Sequence, residues 1–166
     1  MEIDVNVVRN YAIKKHGDQK YGDKPYVYHL DKVYQVTVDH NLSPIIQIGA
    51  YLHDVLEDTD TTCADLKREF GLEDLVSMVY CVTDEPGKNR KERKRVTFPK
   101  IRSNPNAIAL KLCDRIANVR ACIESKNKNL FNMYKKEQPE FERQLKKPKI
   151  LEGLWEELDC LLGEDL

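Results

Sequence analysis

The chain has 166 residues, 41% of them hydrophobic and 33% charged, enough apolar content for one sizeable core and too much for a disordered segment. Lys and Arg number 27 against 28 Asp and Glu, a formal charge of −1, so bulk electrostatics do not describe a nucleic-acid binder. Seven Gly and seven Pro are few for a barrel or sandwich rich in tight turns, and no apolar stretch is long enough to span a membrane. The start, Met-Glu-Ile-Asp, has neither a basic opening nor an apolar run, which predicts a cytoplasmic protein without a secretory leader. The five cysteines form no C-x-x-C pair, which argues for free thiols in a reducing compartment.

Apolar spacing is helical along nearly the whole chain. Val5, Val8, Tyr11 and Ala12 predict a first helix ending before Gly17, and residues 17–28 hold the Gly, Pro and charges of a loop. A second helix is expected from about His29 to His40. Ser43-Pro44 has the form of a helix start and opens a run through Asp58. Thr62 and Asp65 form a capping-box pattern for a short helix that Gly71 closes, and residues 72–83 make another. After a charged stretch, 88–102, Asn104-Pro105 starts the helix AIALKLCDRIANVRACI, and two more helices follow at about 127–145 and 150–162. The expected fold is all-α, one domain over 1–166 with about seven to nine helices.

The run from Ser43 to Asp60 is chemically unusual. Apolar residues cover both sides of its early turns, and then His53, Asp54, Glu57 and Asp58 crowd its last turns. Carboxylates at a helix C-terminus oppose the macrodipole by about 0.3–1 kcal/mol each, and buried without a counter-charge they cost far more. Either a metal or another cation compensates them, or the helix emerges into solvent there. Lys111, Asp114, Arg115 and Asn118 make a polar stripe on the helix after Asn104-Pro105, a pattern that a plain solvent face would also give. Jointly, His29, His53, Asp54 and Asp114 are a mixed imidazole–carboxylate set suited to Mn²⁺, Fe²⁺ or Mg²⁺ rather than structural zinc. Glu57 and Asp58, one turn on, would then serve as acid and base toward a water, which points to hydrolysis of a phosphate or pyrophosphate ester.

An anionic substrate needs cations. Residues 88–102 carry eight (Lys88, Arg90, Lys91, Arg93, Lys94, Arg95, Lys100, Arg102) against Glu92 alone. One or two of them reaching substrate phosphates is the sharper expectation; a solvated face, or pairing with the six acids of the last sixteen residues, is the blander one. Aromatic interleaving is sparse, which argues against nucleic acid as a partner.

His16 with Gln19, Pro25-Tyr26-Val27-Tyr28-His29, the segment Tyr51 to Thr59, Phe70-Gly71, Val82-Thr83 and Lys111 to Asn118 together resemble the HD-type hydrolase domain of the RelA/SpoT alarmone enzymes, over roughly residues 5–125. The chain is most similar to the small stand-alone hydrolases. The resemblance implies an all-α HD fold and Mn²⁺-dependent hydrolysis of the 3′-pyrophosphate of (p)ppGpp, with the metal at His29, His53, Asp54 and Asp114. It implies Glu57 and Asp58 at the water, Asn118 against the guanine nucleotide, and Lys20 or Tyr21 at the position of the family's arginine near the base; charge favours Lys20. The stretch between Gln19 and Pro25 is one residue shorter than usual, Leu30 replaces a proline, and Ala121 replaces a frequent threonine. The shortened stretch and Ala121 keep a related substrate such as NADPH in view; an inactive alarmone-binding module is the reading from another class, and intact Glu57 and Asp58 argue against it. Oligomeric state is left open.

Overall fold

The computed structural model describes residues 3–166; Met1 and Glu2, where the expectation of no leader partly rests, lie outside them. Among the described residues the fold is all-α: nine helices of eight residues or more, one isolated helical turn, and a two-stranded hairpin. Helix α1 (Val5–His16) is capped by the Asp4 side chain and stopped by Gly17, whose φ of +53° suits a residue without a Cβ. The loop that follows contains the antiparallel hairpin β1 (Lys20–Tyr21) and β2 (Lys24–Pro25), which the sequence did not announce. Helix α2 (Val27–Asp39) begins two residues earlier than expected, so His29 lies in its first turn.

The run opened by Pro44 is not one helix. Helix α3 (Pro44–Leu52) ends before His53, and α4 (Val55–Asp58) is a separate turn with Asp54 at its start. Glu57 and Asp58 therefore lie in the first turn of a new element, which removes the dipole penalty that a continuous helix would impose. Helix α5 (Cys63–Phe70) carries the complete Thr62–Asp65 capping box and ends at Gly71, with α6 (Glu73–Val82) following. The charged stretch forms α7 (Arg90–Arg102), capped by the Asn89 side chain on Glu92 N.

Helix α8 (Pro105–Ser125) is the axis of the molecule, in contact with α2, α3, α6 and α7 and with the two last helices, α9 (Lys128–Leu145) and α10 (Glu152–Leu162). It starts on the Asn104 side chain, which accepts from Asn106 N and Ala107 N. Its polar stripe does not face solvent: Asp114 and Arg115 are 8% and 3% exposed. One continuous core runs from Val8 in α1 to Leu162 in α10, with Trp155 and Phe141 its largest buried side chains. No helix among the described residues is long and apolar enough to cross a membrane, and all five cysteines are free.

Candidate metal and phosphate cleft

Three helices deliver the central cluster. His29 from α2, His53 from the end of α3 and Asp114 from the middle of α8 are all buried, and one ligand atom from each lies within 4.8 Å of the others. The two imidazole Nε2 atoms are 3.3 Å apart; Asp114 Oδ1 is 3.1 Å from that of His29 and 3.4 Å from that of His53. Asp54 Oδ2 stands 2.9 Å from His53 Nε2 and 3.9 Å from His29 Nε2, so the structure brings all four residues together.

The donor chemistry of the cluster can be worked out. His53 Nδ1 lies 2.7 Å from Ala50 O. A carbonyl only accepts, so Nδ1 carries the proton and Nε2 turns its lone pair on the carboxylates. The His53 lone pair, His29 Nε2 and two carboxylates then converge on one point, an arrangement that a positive charge at its centre stabilises. Without a metal, that charge is a proton. Burial works against a charged His53, but Asp54 and Asp114 outweigh it and hold its pKa well above the ordinary histidine range. Burial likewise opposes the Asp114 carboxylate, yet Lys111 and the two histidines hold its pKa well below normal, and His53 does the same for Asp54. A divalent cation fits this donor set in place of the proton.

A ring of neighbours orients the cluster. The Tyr26 hydroxyl donates to Asp54 Oδ2 at 2.5 Å, and Lys111 Nζ donates to Asp114 Oδ2 at 3.1 Å. Tyr21 lies parallel to His29, ring centroids 4.6 Å apart. Its hydroxyl donates to Asn118 Oδ1 at 2.7 Å, and Asn118 Nδ2 donates to Asp114 Oδ1 at 2.9 Å. Tyr26 and Lys111 were not singled out in the sequence as parts of a site. The Pro-Tyr-x-Tyr-His spacing and the position of Lys111 one turn before Asp114 were the only signals for them.

A cleft of about 330 Å³ opens over the cluster, lined by the acids Glu57, Asp58 and Asp84 and by the bases Arg90, Arg93 and Lys94. Glu57 Oε1 accepts from Asp84 N at 2.8 Å; partial removal from water, with Asp84 and Asp54 nearby, pushes its pKa up. Asp58 Oδ2 accepts from Gln19 Nε2 at 2.9 Å, and the Gln19 amide oxygen in turn accepts from His16 Nδ1 at 2.7 Å. Lys94 is bound to Asp84 at 2.9 Å, and burial together with Lys111 pushes its pKa down to about 8. A second cavity of about 460 Å³ adjoins the cleft through Tyr21, Asn118 and Tyr134, and Ala121 and Cys122 line it.

Lys20 is the one candidate residue that the structure leaves apart from the others. Successive strand residues point to opposite sides, so with Tyr21 turned onto His29, Lys20 is directed into solvent and lines neither cavity. The basic run does not pair with the C-terminal acids either. Lys94, Lys100 and Arg90 bind Asp84, Glu85 and Glu137, whereas Glu157 binds Arg120 and His40.

No family model matches the chain. Among curated proteins, the chain is 34% identical over 116 residues to the guanosine-3′,5′-bis(diphosphate) 3′-pyrophosphohydrolase MESH1 of Drosophila melanogaster, covering 66% of this chain and 64% of the relative. It is 33% identical over 117 residues to the Homo sapiens protein of that name, covering 67% and 65%. A 3′-pyrophosphohydrolase of Aquifex aeolicus is 35% identical over 119 residues, 66% of this chain but 16% of the relative. The match thus spans less than two thirds of the length of each of these relatives. Among solved structures, a metazoan ortholog of SpoT that hydrolyses ppGpp superposes with a TM-score of 0.76 at 26% identity, over 95% of this chain and 92% of that one. A Listeria monocytogenes protein shares the fold with a TM-score of 0.65 at 20% identity, over 83% and 98%.

Proposed function

We propose that this chain, which resembles the HD-type hydrolases of the RelA/SpoT family in sequence and in fold, is a Mn²⁺-dependent hydrolase that removes the 3′-pyrophosphate of guanosine alarmones. The products are GDP from ppGpp or GTP from pppGpp, plus pyrophosphate. Residues 1–166 act as one hydrolase domain in the cytoplasm. The single observation that carries this proposal is the convergence of two imidazole nitrogens with the buried Asp114 and half-buried Asp54 carboxylates beneath a cleft lined by both acids and bases.

His29, His53, Asp54 and Asp114 would hold the metal. When bound, Mn²⁺ supplies Lewis-acid polarisation of a phosphoryl group and a water acidic enough to attack near neutral pH. Mn²⁺ is favoured over Mg²⁺ because imidazole is a poor ligand for the harder ion, and Fe²⁺ is the next choice. Glu57, its proton affinity raised by its surroundings, takes the proton of the attacking water. Asp58, held by Gln19, orients that water. Arg90, Arg93 and Lys94 neutralise the pyrophosphate, and Lys111 keeps Asp114 ionised.

The nucleoside occupies the adjoining cavity, where Tyr21 and Tyr134 offer aromatic faces. Asn118 spends its amide on Tyr21 and Asp114, so it shapes this cavity by fixing two neighbours as much as by touching the nucleotide. Lys20 lies outside this cavity and Lys24 is the cation on its lining, and this different placement of charge favours a second substrate to be tested: a related phosphorylated nucleotide such as NADPH. An inactive binding module would not need both Glu57 and Asp58 on the cleft wall.

Metal-stripped protein given ppGpp, with and without Mn²⁺, tests the proposal directly. Mn²⁺-dependent release of GDP and pyrophosphate, lost in Glu57→Gln with metal binding retained, is the expected result. Release of phosphate from NADPH in a parallel reaction, with ppGpp untouched, would replace the substrate and keep the site. No turnover of either would reject hydrolysis.

A further inference from the structure

A third cavity, of about 570 Å³, lies between α7 and α9. Arg90, Lys94 and Arg115 stand in the wall of both this cavity and the metal cleft. Its floor is apolar: Phe98 and Phe141 are 5% and 1% exposed, and Met133 lies beside them. Its remaining charges are unevenly matched. Glu137 accepts from Arg90 at 2.6 Å and from Arg115 at 2.8 Å, and Glu140 accepts from Arg143 and Gln144, so both acids of the cavity are already engaged. Lys91, Arg95 and Lys136 also line it, and none of them forms a salt bridge with a described residue.

An apolar floor under three unpaired cations is complementary to one kind of small molecule, a phosphate ester carrying a flat apolar group. The volume is that of a typical small-ligand pocket. Arg115 stacks on Phe141, its guanidinium 4.3 Å from the ring centroid, and this buried pair closes the base of the cavity, so half-buried Met133 is the apolar surface that a planar group reaches. We propose that the cavity between α7 and α9 is a second binding site, separate from the metal cleft, for an organic phosphate of this class.

The site has its own residues. Lys91, Lys136 and Met133 line this cavity and neither of the other two. The test titrates the Mn²⁺-loaded full chain with ATP, whose ribose carries no 3′-phosphate, and follows stoichiometry by equilibrium dialysis. Two binding events are expected. One of them should weaken roughly tenfold in the double variant Lys91→Ala/Lys136→Ala and also in Met133→Glu, which charges the floor. The KM for ppGpp should stay within about twofold in the double variant. A single event that both variants leave untouched would overturn the proposal. So would a single event accompanied by a raised KM for ppGpp in the double variant, which would assign the cavity to the far end of a longer substrate. Because ATP binding is read without turnover, failure of the alarmone assignment would leave this result interpretable.

Discussion

The Tyr26 hydroxyl donates to Asp54 Oδ2, joining the residue just before α2 to the residue just before α4. Neither end of that bond lies inside a regular helix, so backbone geometry alone does not fix the Asp54 carboxylate. Tyr26→Phe should lower Mn²⁺ affinity by about tenfold, the usual effect of removing a hydrogen bond behind a metal ligand. Thermal unfolding of the metal-free variant should match wild type. Unchanged affinity by calorimetric titration would mean that Asp54 needs no such support.

Gln19 stands between His16 and Asp58, accepting from one and donating to the other. If Asp58 orients the attacking water, Gln19→Ala should reduce kcat by roughly tenfold with little change in KM. Gln19→Glu should do worse, since its carboxylate would face that of Asp58. An equal loss in kcat and kcat/KM in the first variant, with intact Mn²⁺ binding, is the pattern that supports the role.

Tyr21 and Lys20 are adjacent yet point apart. Tyr21→Ala removes the ring stacked on His29 and part of the nucleoside cavity, and should raise KM severalfold. Lys20→Ala should leave KM within about twofold. The reverse outcome would restore the charge-based assignment of Lys20 to the base.

Lys94 supplies a pH dependence. Its folded pKa of about 8 lies below the ordinary lysine value, so the ammonium is lost as pH rises through 8, and KM for a pyrophosphorylated nucleotide should rise between pH 7.5 and roughly 9. Lys94→Arg should flatten that rise. Stability moves the opposite way. The unfolded chain binds more protons at this position between pH 8 and 10.5, so this group contributes increasing stability with pH across that window. Chemical denaturation at pH 8 and pH 10, wild type against Lys94→Met, isolates the contribution.

Much of this architecture is legible in local signals. Asn104-Pro105, the Thr62–Asp65 pair, Gly17 and Gly71 each mark a helix boundary where the backbone observes it. Helix α7 is less legible, because only Thr97, Phe98 and Ile101 of its thirteen residues are buried, and eight bases in and around it hide that period. Its one local marker is Asn89 with Glu92 three residues on, a cap pattern inside a run of charge. The break at His53 was invisible to periodicity, since apolar spacing continues through Val55 and Leu56. At the break a local side-chain contact replaces the backbone one: the His53 imidazole takes the Ala50 carbonyl that the next helical turn would use. The grouping of His29, His53, Asp54 and Asp114 followed from residue type alone. The inward turn of the Lys111–Asn118 stripe did not, because a polar stripe on a buried helix and one on a surface helix read the same.

The hairpin between α1 and α2 contributes no buried residue from either of its short strands. Yet Tyr21 on the hairpin and Tyr26 just after it touch His29 and Asp54 from two sides. Selectivity in this protein is thereby detached from foldability. Within the segment, Gly17 ends α1 and Gln19 holds Asp58, whereas Tyr21, Asp23 and Lys24 line the adjoining cavity and can exchange side chains without disturbing the packed helices. A library confined to Tyr21, Asp23 and Lys24 should yield soluble variants at high frequency and differ among its members chiefly in substrate preference.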